Sequence, residues 1–135
     1  MTNKLDGFFK SMFLIAALYD FVLGLVFFLF YGQIYSYLNI PIPAESMYLQ
    51  MAAAFVIAMG VGYYFVYQNM YKNIDLVKLG VVYKFVYSSV TSYFYFKGSG
   101  PAIFFLFAVI DAVFLLLFVW FLFYAKKANK NEHRQ

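Results

Sequence analysis

The stretch Leu79–Lys97, LGVVYKFVYSSVTSYFYFK, decides how this chain is read. It is long enough to cross a bilayer, yet it carries Lys84 near its middle. A charged side chain at that depth costs at least about 2.5–3.5 kcal/mol on insertion scales, so it normally faces a partner. Two other apolar runs carry one acid each, Asp20 and Asp111. The reading places Asp20, Lys84 and Asp111 at the centre of an all-α, polytopic membrane four-helix bundle of up-down topology.

Composition supports lipid as the solvent. The 135 residues suffice for one domain, 65% are hydrophobic and 12% are charged. Soluble domains are about 45–50% apolar and about 25% charged, so this chain could not cover its apolar surface in water. It has no cysteine, which excludes disulfide exchange, iron–sulfur ligation and thiolate zinc sites. Its one histidine, His133, falls in a polar tail, which excludes a haem held by histidine within the membrane. No metal site is expected.

Outward from Leu79–Lys97, the sequence predicts a single transmembrane domain over 1–135 with helices at about 11–31, 46–69, 74–96 and 101–124. Each has the roughly 20 residues that a ~30 Å hydrocarbon core requires. Asn73 is the expected N-cap of the third helix. Lys97-Gly-Ser-Gly-Pro101 is the clearest turn, with Pro101 opening the fourth helix. Pro43 suits the start of the second. Residues 126–135 read as a polar tail. The first apolar run is too long for a signal peptide, so it is expected to be retained.

Charge placement predicts orientation. In a four-span chain the N-terminus, the second link and the C-terminus share one side. That side holds Lys4, Lys10, Lys72, Lys78, Lys126, Lys127, Lys130 and Arg134, against Lys97 alone on the other. The positive-inside bias then puts both termini in the cytoplasm, in a bacterial-type cytoplasmic membrane. The tail is too short and sparse to suggest nucleic acid, and its attraction to anionic lipid is a secondary effect.

Each expected helix has a face of small or polar residues, spaced to lie on one side. These are Ala16, Asp20 and Gly24; Ala54, Ala58 and Gly62; Gly80, Lys84 and Ser88; and Ala108, Asp111 and Ala112. Gly24, Ala54, Ala58, Gly62 and Gly80 are the expected packing positions, because small residues let backbones approach in lipid. By rise per residue, Asp20 and Lys84 lie roughly 12–13 Å in from the cytoplasmic side and Asp111 roughly 13 Å in from the outer one, near the midplane. Lys84 is expected to reach Asp111, with Asp20 approaching from the other side. Tyr83, Tyr87 and Ser88 complete the candidate site, although core packing also accounts for the tyrosines. Two aspartates and one lysine leave a formal charge of −1, which is expensive in low dielectric. The cluster is therefore either structural or a pocket for a proton, a cation or the polar head of a lipophile.

Gly24-Leu25 followed by Phe27-Phe28, Gly60 with Gly62, and Asp111 with Phe114 resemble the DoxX-like group of small four-helix membrane proteins. The resemblance implies an accessory or ligand-binding membrane protein, some members serving quinone-linked oxidoreductases, with no catalytic residues to carry over. The expected function is non-enzymatic: binding a quinone or lipid, or serving as accessory subunit in a homo-oligomer or larger membrane complex. The alternative is a proton or cation conduit through Asp20, Lys84 and Asp111. An activated nucleophile is not in sight.

Overall fold

The computed structural model describes residues 4–133. Arg134 and Gln135, the end of the expected tail, lie outside the described residues, as does the side chain of His133. Among the described residues the chain is all-helical: α1 (Lys4–Tyr37), α2 (Met47–Gln68), α3 (Ile74–Lys97) and α4 (Ala102–His133). α1, α2 and α4 are long and apolar enough to cross a membrane. The chain divides after Gln68 into two compact units, each an antiparallel helical hairpin.

The first hairpin joins α1 to α2. Backbones meet where Gly24 and Gly60 leave out a side chain. A Cβ on Gly24 would lie 2.7 Å from the Ala53 carbonyl oxygen, and one on Gly60 would lie 2.7 Å from the Phe21 nitrogen. Gly24 is thus a position of close backbone approach. On α2 the packing stripe is Ala53 and Gly60 rather than Ala54, Ala58 and Gly62. Ala54 and Ala58 are exposed, and Gly62 has open space where a side chain would go. One residue of offset turns a helix face by about 100°. Ala52-Ala-Ala54 and Gly60-Val-Gly62 offered small residues on several faces, so spacing alone could not choose among them.

α1 begins seven residues before the expected start at Ser11 and ends six after Tyr31. Apolarity marks only the part suited to lipid; the helix continues because Phe9 is buried and Lys10 lies over the Tyr67 ring of α2 at 5.2 Å. Asp6 in the first turn suits the positive end of the helix dipole. Near its far end α1 kinks at Phe30, where φ is −123° and ψ is 24°. A kink opens backbone carbonyls, and the Gln50 side chain of α2 donates to the Phe28 carbonyl there at 3.2 Å. The helix then stops at Asn39, with φ of 58°. Asn39 N–H donates to the Ser36 carbonyl and Ile40 N–H to the Tyr35 carbonyl, a Schellman ending. α2 opens at Met47, later than Pro43 suggested, because Glu45 accepts from the Met47 N–H at 2.9 Å.

The second hairpin joins α3 to α4. Asn73 precedes α3, but its side chain donates to the Asn69 carbonyl at 2.9 Å and does not cap the helix. The turn at 98–101 forms as the sequence suggests. Gly98 takes φ of 95°, and the N–H groups of Ser99 and Gly100 both reach the Phe94 carbonyl at 3.0 Å. Pro101 sits just ahead of α4 and its carbonyl accepts from Phe104 N–H at 3.2 Å. α4 runs beyond Tyr124, its expected end, to His133, through most of the polar tail. Alanine and lysine are strong helix formers, and Ala125 is buried, so polarity there ends the apolar run without ending the helix.

Candidate functional site

The site grows from the register of α3 on α4. Lys84 and Asp111 face each other across the second hairpin, Nζ to Oδ1 at 2.9 Å. Lys84 is 0% exposed and Asp111 5%. One helical turn along, the Ser88 hydroxyl donates to the Ala108 carbonyl at 3.0 Å. Tyr87 adds a long contact from its hydroxyl to the Phe104 carbonyl, at 3.5 Å. Lys84, Tyr87 and Ser88 thus form a polar seam along one side of α3, bonded to α4.

The ammonium also lies against aromatic faces. Its distance to the ring centroid is 5.3 Å for Phe114, 5.8 Å for Phe118 and 6.0 Å for Tyr83. Such contacts contribute about 0.5–2 kcal/mol, more when desolvated. Phe118 had not been singled out in the sequence. The signal was there: Asp111, Phe114 and Phe118 fall three and seven residues apart, on one face of α4. The carboxylate supplies charge and the ring faces supply a negative quadrupole, so the cation is offset although it has no exposed surface.

The structure therefore brings together Lys84, Asp111, Tyr83, Tyr87 and Ser88 in one hairpin. Asp20 belongs to the other unit, on α1, where it is 2% exposed between buried Ala16 and Gly24. Gly80 is buried one turn before Lys84. Among the described residues no three His, Cys, Asp or Glu side chains gather as metal ligands would. Chemically, Lys84–Asp111 can hold charge or exchange a proton within the pair. A family-model scan and searches of curated proteins and of solved structures found no match to this chain.

Proposed function

We propose that this chain is a non-enzymatic integral membrane protein that crosses the bilayer four times and serves as an accessory or lipophile-holding module. One observation carries the reading. The side of α3 away from the polar seam is exposed and mostly apolar: Leu79, Val82, Phe85, Val86 and Val90, with Ser89 among them. α3 is not among the three most apolar helices, but of its polar groups Lys84, Tyr87 and Ser88 are bonded to α4. What α3 offers outward is suited to acyl chains, a quinone tail or an apolar helix of a membrane partner. The DoxX-like resemblance points the same way. The eight-to-one distribution of basic residues supports both termini in the cytoplasm, in a bacterial-type membrane. The test is purification in mild detergent, then solvent extraction for quinone and lipid and mass determination of the intact complex. A protein that elutes alone, free of lipophile after gentle extraction, would overturn the reading.

A second reading rests on Asp20, a third ionisable side chain buried within a span-length apolar helix. On that reading the three charges carry protons or cations. Flux in liposomes, abolished by Asp20→Asn with the fold intact, is the expected result; no flux from the wild type removes it.

A further inference from the structure

The link before α3 and the end of α4 lie at the same end of the second hairpin. Lys84 pairs with Asp111, and the Tyr71 ring meets that of Phe121 at 6.1 Å. Lys72 is therefore roughly level with residue 123, and α4 runs on past the start of α3. From Ala102, about 20 residues at 1.5 Å each cross a ~30 Å core and end near residue 122. Lys126 and Lys127 fall roughly 6–8 Å further on, at the depth of a headgroup layer about 5–7 Å thick. Lys130 is one turn beyond, on the same side as Lys126. All four lysines are exposed. Lys78, by contrast, is paired with Asp75 at 3.5 Å. Trp120, 46% exposed, and Phe123 sit beside them at the edge of the apolar zone, as interfacial aromatics do.

We propose that this end of the hairpin is a binding surface for anionic phospholipid headgroups, contacted by Lys72, Lys126, Lys127 and Lys130. Four basic residues immediately beyond a span are the number that makes such a surface. The helical continuation of α4 matters, since it holds three of them at fixed depth. Ammonium groups at headgroup depth meet phosphate there, and an added net negative charge on the lipid distinguishes the anionic from the zwitterionic class. The proposal rests on the membrane reading of α4 given above.

Trp120 is the one tryptophan of the chain and reports on its lipid neighbours. The protein is reconstituted in mixed phosphatidylcholine–phosphatidylglycerol vesicles, with bromine on the acyl chains of one lipid or the other. At equal mole fraction, brominated phosphatidylglycerol is expected to occupy the site about fivefold more than brominated phosphatidylcholine, the factor one surface lysine supplies. The quadruple change K72Q/K126Q/K127Q/K130Q should abolish the preference, as should 1 M salt, where the Debye length falls to about 3 Å. Lys97→Gln, at the opposite end of the hairpin, should leave it intact. Equal quenching by both lipids in the wild type would overturn the proposal alone, as would a preference that survives the quadruple change. No quenching by either lipid would overturn the membrane reading as well.

Discussion

Changing Lys84 to methionine would leave the Asp111 carboxylate buried without the cation that faces it at 2.9 Å. Breaking one side of a buried pair costs about 3–5 kcal/mol. K84M should therefore lower unfolding stability in detergent by about that much, and K84M/D111L should recover much of the loss. A double-mutant cycle measures the coupling; additive losses would show that the pair does not act as a unit. Lysine to arginine is not a conservative alternative here. The planar guanidinium needs more room and more acceptors than a niche lined by Phe114 and Phe118 offers. The pair was legible in the sequence because a charge within an apolar run demands a partner, and depth counting gave one. The aromatic lining was harder to read, since the chain has nineteen phenylalanines and composition does not say which of them meet Lys84.

At the level of elements, the first hairpin depends on two glycines that meet backbone. Gly24→Leu and Gly60→Leu should each destabilise it by several kcal/mol, because the nearest atoms include main-chain groups that cannot move aside. Gly62→Leu should be close to neutral, since nothing lies in its way. Thermal unfolding of the three variants separates this arrangement from the Ala54–Ala58–Gly62 stripe. At the other turn, Gly98→Ala places a Cβ on a residue with φ of 95°, and about 1–2 kcal/mol should be lost. Helix existence was readable from long apolar runs. Helix ends were not, because α1 and α4 continue into polar sequence where buried Phe9 and Ala125 hold them. The α1 kink had no proline to announce it; its partner Gln50 lies 22 residues away in the chain.

For the whole molecule, the proposed four spans make a topological prediction. A reporter active only in the cytoplasm should work when fused after Gln135 and fail when inserted within Gly98–Gly100. The opposite pattern would reverse the orientation, and activity at both sites would mean that α3 and α4 do not form a transmembrane pair. The charge count that supports this orientation was entirely legible in the sequence. The environment of α3 was less so, because average apolarity does not reveal that Lys84, Tyr87 and Ser88 share one side and find bonds on α4.

The seam between α3 and α4 has a consequence for the order of synthesis. Lys84 and Asp111 are 27 residues apart in the chain. A ribosome adding about 5–20 residues per second leaves roughly 1.5–5 s between them. Throughout that interval α3 has its lysine and not the acid that offsets it. Insertion of α3 by itself would place an uncompensated ammonium in hydrocarbon, whereas α3 and α4 entering together carry the pair already closed. The nascent chain should therefore hold α3 at the membrane surface until α4 emerges. A truncated chain ending at Gly100 should leave α3 outside the bilayer, accessible to a protease that the full-length hairpin resists.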